Sequence, residues 1–311
     1  MKQVLVLHYS QSGQLTEIVN NIVTDFKNDD AVELHYHNIE LEQNFPFPWT
    51  KKDFFGVFPD TFLQHAKAVK PIPEAILNNT YDLIIFGYQV WYLTPSLPIS
   101  SFLQSESAKT LFSGSKVVTV SGTRNMWIMA HEKVKKHLKS LNASLVGNIA
   151  LVDRHINHIS VITIVRWMFS GKKKKYLGLF PKPGVSQRDI DNAVKFGPVI
   201  KQHLFQNSFN DLQENLLKND AVKIKPFLIT VDRKANVIFT KWANFIHKSS
   251  EPNTKKRETL LKFFNVYLFI AIWVVSPIVF ILFLLTYVFN IPKIKKQKEY
   301  YTSVELLENT K

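Results

Sequence analysis

The chain of 311 residues contains no cysteine. That excludes a disulfide framework, a thiolate zinc site, an iron–sulfur cluster and any cysteine nucleophile. Two glycine-based phosphate signatures are missing as well. No G-x-G-x-x-G opens a helix, and no G-x-x-x-x-G-K is present, which argues against a dinucleotide turn and a nucleoside-triphosphate loop. The apolar run within residues 1–10 is too short for a secretory leader, so the body is expected in the cytoplasm. Charged residues are only 21% against 13% aromatics, too apolar for a disordered chain. The length fits one large domain or two ordinary ones. Acid is scarce in one half only. Residues 1–153 hold 13 Lys+Arg and 14 Asp+Glu, whereas residues 154–311 hold 26 and 11. A basic half of this kind suits a nucleic acid or an anionic membrane.

What is present separates those two partners. Residues 263–289 (FFNVYLFIAIWVVSPIVFILFLLTYVF) form 27 positions without a charge. As a helix they reach about 40 Å, against a hydrocarbon core of about 30 Å. Lys255, Lys256, Arg257 and Lys262 precede the run, and Lys293, Lys295, Lys296 and Lys298 follow it. Tyr267, Trp273 and Tyr287 are amphipathic aromatics suited to an interface. The expectation is a C-terminal transmembrane or membrane-inserted helix holding the body at the cytoplasmic face of the inner (plasma) membrane, with lipid as a partner. Basic residues on both flanks leave the positive-inside count without a direction. Pro277 either kinks a single tilted span, the arrangement expected, or turns a re-entrant hairpin. Nucleic acid is not expected, because the basic residues bracket apolar segments and form no aromatic-interleaved groove.

The first 150 residues alternate in the α/β manner. Short continuous apolar runs at 3–8, 82–87 and 116–121 read as strands buried on both faces. Residues 32–39 read as a strand nearer the edge, and 143–152 as a fifth. Helices are expected over 14–27, where Leu15, Ile18, Val19, Ile22, Val23 and Phe26 share one face, and over 125–141 and 187–204. The fold class that follows is a doubly wound, five-stranded parallel sheet. Its body is expected to cover residues 1–206, with an insertion at 154–186. A linker or accessory region follows at 207–262, then the membrane segment at 263–289 and a polar tail at 290–311. The aromatic stretch 45–69 has no assigned element.

In such a sheet a ligand lies beyond the carboxyl ends of the strands. After the first strand come Ser10, Gln11, Ser12, Gly13, Gln14 and Thr16 at a helix N-terminus, neutral donors suited to a single phosphate. An ordinary Ser-capped turn has the same composition. After the third strand Gln89, Trp91 and Tyr92 stand in a Pro-punctuated loop, where adjacent aromatics suit a flat ring system. After the fourth come Gly122, Thr123, Arg124 and Trp127.

Together YSQSGQLTEI, YDLIIFGYQVWYLTPSLP and VSGTRNMW resemble a flavodoxin-type FMN domain. With the insertion RHINHISVITIVRWMFSGKKKKYLGLFPKPGVS, the chain resembles the flavodoxin-like dialkylresorcinol condensing enzyme family of the aryl polyene and flexirubin pigments. The resemblance implies FMN phosphate binding by Ser10, Gln11, Ser12, Gly13 and Gln14, with Thr16 assisting. It implies flavin-ring contacts from Gln89, Trp91, Tyr92, Gly122, Thr123 and Trp127. One departure stands out: flavodoxin loops place a Thr two residues after the glycine, where this chain has Leu15.

Condensation normally uses a cysteine nucleophile, which this chain lacks. The oxidative step of such a pathway fits a flavin better: oxidation of a long-chain alkyl cyclohexanedione to a resorcinol, an aromatase reaction. His131, His155, His158 and Tyr92 are the acid–base candidates, each equally readable as a structural or surface group. No metal site is expected, since no third ligand joins His155 and His158. Arg124 suits an anionic substrate group or the flavin's electron-rich pyrimidine edge, and is equally readable as a solvated loop charge. Residues 156–170, apolar and followed by Lys172–175, suit a lid or an interfacial helix. Two alternatives remain at this level: a membrane quinone reductase or electron-transfer flavoprotein, and a non-catalytic scaffold for a ketosynthase. A ketosynthase partner and a homodimer are consistent with the sequence.

Overall fold

The computed structural model describes residues 1–306. Five parallel strands, β1 (Lys2–His8), β2 (Val32–Asn38), β3 (Leu83–Tyr88), β4 (Lys116–Thr123) and β5 (Ser144–Val152), are ordered β2-β1-β3-β4-β5. This is the flavodoxin-like doubly wound order, with its switch point between β1 and β3. The apolar runs alternate at period two, yet both faces are covered. Val4 and Val6 face a core shared with the helix Gln14–Ile22, while Leu5 and Leu7 face one shared with Phe102, Phe112 and Val134.

The expected helix over 14–27 is broken at Val23 into Gln14–Ile22 and Thr24–Lys27. The closing helix crosses there, and a Cβ on Gly197 would stand 2.4 Å from the Ile22 carbonyl oxygen, so only glycine permits the crossing. The closing helix is itself divided into Gln187–Asp191, a 3-10 turn Asn192–Lys195, and Phe196–Phe205. Pro198 explains the division: it cannot donate to the Val194 carbonyl, and it is accommodated in the first turn of a new helix. The helix Ile128–Ser140 starts three residues later than expected, its first amides held by the Asp232 carboxylate at 2.8 Å and 3.3 Å.

The aromatic stretch 45–69 holds two short helices, Lys51–Gly56, capped by Thr50, and Phe58–Leu63. Residues 207–262 carry Leu212–Lys218, the 24-residue Pro226–Ser249, and the start of the last helix. That last helix runs from Lys255 to Thr302, 48 residues, and is long and apolar enough to cross a membrane. A π-helical turn, Ala271–Val275, interrupts it just before Ser276 and Pro277. The proline has no amide to offer the Trp273 carbonyl, and a widened turn absorbs the mismatch.

Both flanks of this helix pack on the same body. At the N-terminal end Arg257 pairs with Asp60 at 3.4 Å and Phe264 stacks on Phe58 at 3.8 Å. At the other end Tyr301 joins the sheet's core, and the Thr302 carbonyl accepts from Gln213 at 2.7 Å. Residues 307–311 of the expected tail lie outside the described residues.

Candidate functional site

A cavity of about 530 Å³ lies beyond the carboxyl ends of β1, β3 and β4. Gln11, Ser12, Gln89, Trp91, Gly122 and Thr123 form one end. The insertion helix Asn157–Ser170 and the C-terminal helix form the other, apolar end through Val161, Ile164, Phe269, Ile272 and Trp273. The loop after β1 enters the helix Gln14–Ile22 through Gly13, whose φ of +79° lies in the left-handed region. No side chain caps that helix, and the space over Gly13 is open. Ser10 Oγ, in the same loop but off the cavity wall, is buried without a partner. Ser12 is the hydroxyl of this loop that lines the cavity, and with the uncapped helix amides it is a donor set suited to an anion.

Other members of the loop are already committed. The Gln11 side chain accepts from the Tyr9 hydroxyl and donates to the carbonyls of Phe45 and Pro46, at 3.1 and 2.9 Å, and the Gln11 backbone N–H donates to Gln89 Oε1 at 3.1 Å. Gln14 lines the cavity but exchanges hydrogen bonds with the Val185 backbone. Thr16 faces His8, 2.9 Å from its Nε2. Leu15, at the position where flavodoxins place a Thr, lies in the core 1% exposed. The loop therefore offers Ser12 and backbone amides to a phosphate.

Trp91 stands at the centre of an aromatic wall, with Tyr9, Phe45 and Trp49 packed edge-on against it at 5.0–5.9 Å. Tyr92 lines the cavity, but its hydroxyl donates to the Phe54 carbonyl, and burial pushes its pKa well above the ordinary value. Trp127 lies in the core against His131 and away from the cavity wall.

No histidine lines this cavity among the described residues. His131 is 1% exposed, 3.0 Å from the Tyr88 hydroxyl, and burial drives its pKa well below 6.5. His155 stands at the entry to the insertion, its amide on Asp153. The His158 ring bonds the Ile272 carbonyl at 3.0 Å. The four acid–base candidates are thus dispersed, and only Tyr92 reaches the wall.

The cationic group that does reach it is Arg124. Its Nε donates to Ser160 Oγ at 3.2 Å and Nη2 to Asn157 Oδ1 at 2.7 Å, while Ser160 Oγ donates to the buried Asp153 at 2.7 Å. Desolvation lowers the Arg124 pKa to about 10, with Asp153 opposing the shift, so the guanidinium is charged at neutral pH. Asn265, on the C-terminal helix, was missed by sequence reasoning. Its Oδ1 is buried without a partner and the residue lines the cavity. An amide inside an otherwise apolar run was the available signal.

Elsewhere, Asp60, His65 and His247 offer ligand atoms within 4.8 Å of one another. Asp60 already faces the Arg257 guanidinium, which works against a cation there.

No protein-family model matches the chain, and no curated protein matches it. Among solved structures, it is similar to a Lactobacillus acidophilus flavoprotein in complex with FMN: 20% identity, 48% of this chain and 93% of that one, TM-score 0.35. Oxidised flavodoxin 1 of Bacillus cereus is 12% identical over 65% of this chain and 99% of its own, TM-score 0.37. The fold assignment rests on the strand order described above.

Proposed function

We propose that the chain is a membrane-attached, FMN-dependent oxidoreductase that oxidises an alkyl cyclohexanedione to a resorcinol, the oxidative step that a flavin site without a cysteine nucleophile fits in a dialkylresorcinol pathway. One observation carries the reading: a single cavity is bordered both by Gln11 and Ser12, in the loop before an uncapped helix N-terminus, and by an apolar wall on the C-terminal helix. Ser12 and the amides behind Gly13 would hold the phosphate, and Gln89, Trp91, Gly122 and Thr123 would border the ring. FMN, when bound, supplies a two-electron acceptor at that end.

The chain's own residues fit the rest of the task. A cyclohexane-1,3-dione is a vinylogous acid and ionises readily, so the site needs a cation to hold the enolate more than a strong base to make it. Arg124, fixed by Asn157 and Ser160 in a partly desolvated wall, is such a cation; charge-assisted contacts in this setting are strong. The ring must lose a proton from C4, vinylogous to the carbonyl, and a hydride from C5; this leaves a hydroxydienone, and its tautomerisation gives the resorcinol. With no histidine on the cavity wall among the described residues, the acceptor for the C4 proton is solvent or the Tyr92 side of the cavity. The apolar end takes alkyl chains and excludes water.

The test is anaerobic mixing of FMN-loaded full-length protein with a long-chain alkyl cyclohexane-1,3-dione. Bleaching of the flavin band with formation of resorcinol, in the absence of nicotinamide, is expected. A flavin reduced only by NAD(P)H and reoxidised by quinone would replace this reading with a quinone reductase. A protein that never takes up flavin would point to the scaffold.

A further inference from the structure

The C-terminal helix has the composition of a membrane span but not the placement of one. Its 48 residues reach about 70 Å, more than twice a hydrocarbon core. A span would carry its two flanks to opposite faces of the bilayer. Here Arg257 and Phe264 at one end, and Tyr301 and Thr302 at the other, are bound to the same globular body. Between them Phe269, Leu285 and Phe289 are 63%, 69% and 86% exposed. Ile272, Ser276, Phe283, Ile294 and Tyr301 make an inner stripe that is buried or half-buried.

We propose that this helix lies in the plane of the membrane surface, immersed along its outer face, and that both flanks stay on one side. The inference rests on the membrane attachment in the preceding reading, and not on the flavin. Charge agrees with it. Both flanks are basic, which gives a spanning helix no preferred direction; a helix with both ends beside the same anionic headgroups needs basic residues at both. The partner is therefore an anionic lipid surface. Because the helix's inner side, through Asn265 and Ile272, is also a wall of the cavity, docking brings the cavity's apolar end beside the acyl chains. The His158 bond to the Ile272 carbonyl joins the insertion helix to this wall.

The absence of native cysteine makes the test clean. Single K256C and K298C variants of the full chain, both at exposed positions, are expressed in bacterial cells and treated with a membrane-impermeant maleimide, in spheroplasts and in inverted vesicles. Both sites should label in the same preparation and neither in the other. Labelling in opposite preparations would establish a span and overturn the proposal, while leaving membrane attachment intact. Separately, purified protein should float with vesicles of phosphatidylcholine and phosphatidylglycerol, resist release by high salt, and lose flotation when Leu285 and Phe289 are both changed to Lys. Wild-type protein that stays behind as a dimer, its apolar faces paired, would sink both the attachment and the in-plane placement.

Discussion

The ring of His158 holds the main-chain carbonyl of Ile272, Nε2 to O at 3.0 Å, and so ties the insertion helix to the π-helical turn of the C-terminal helix. The two elements are 114 residues apart in sequence and together form the apolar end of the cavity. His158 in this setting fastens a wall. His158→Phe should lower stability by about 1 kcal/mol, the net worth of one such bond. His158→Gln, which keeps a donor, should melt nearer to the wild type and turn over at a similar rate. A loss of about 10²–10⁴ in flavin reduction for the Gln variant would instead mark a general base.

Gly13 carries the second prediction. Its positive φ and the open space above it place a Gly13→Asp carboxylate at the helix N-terminus, where a phosphate would lie. A carboxylate there satisfies the same helix amides and repels a phosphate. FMN affinity should collapse while the far-ultraviolet circular dichroism stays unchanged. Unaltered affinity would remove the phosphate role from this loop.

Arg124 is the residue on which the proposed chemistry depends. Arg124→Gln keeps hydrogen-bonding capacity but loses the charge, and it should raise KM for an ionised dione and slow flavin bleaching by about 10²–10³-fold, the usual scale for one charge-stabilising group. FMN binding should be little affected. Equal rates on the dione in wild type and variant would sever the enolate from this guanidinium.

Asp232 makes stability depend on pH. Fully buried, with Oδ1 unpartnered, it has a pKa raised from 3.8 to about 7 by desolvation, against the opposing pull of the Ile128 and Met129 amides. The folded state holds this proton more tightly than the unfolded one. Its contribution is therefore most favourable at low pH and falls as pH rises from about 4 to about 7, by as much as roughly 4 kcal/mol. Asp232→Asn should flatten that part of the urea-denaturation profile. A slope identical to the wild type between those pH values would mean the carboxyl is already ionised.

The sheet was readable because its signal is local: Leu5, Leu7, Ile84 and Val117 belong to short apolar runs that only a doubly covered strand explains. That the loops after β1, β3 and β4 border one cavity followed from the same signal, since parallel strands bring those loops to one end of the sheet. Leu15 shows how far that reach extends: the sequence shows a departure from the flavodoxin pattern, and only packing shows that the side chain joins the core. What sequence could not reveal were long-range meetings. Phe58 stacks on Phe264, Tyr301 enters the sheet's core, and His158 reaches Ile272, all pairings across a hundred residues or more that no periodicity encodes. Helix length and hydrophobicity likewise describe a span equally well whether its ends part or return.

The most direct measurement is a titration of purified full-length protein with FMN, followed by flavin absorbance and tryptophan fluorescence. Trp49, Trp91 and Trp167 line the cavity, so saturable binding of one FMN should quench their emission and shift the flavin bands, with Gly13→Asp abolishing both changes. Free-flavin spectra and unquenched tryptophan at every FMN concentration would contradict the account.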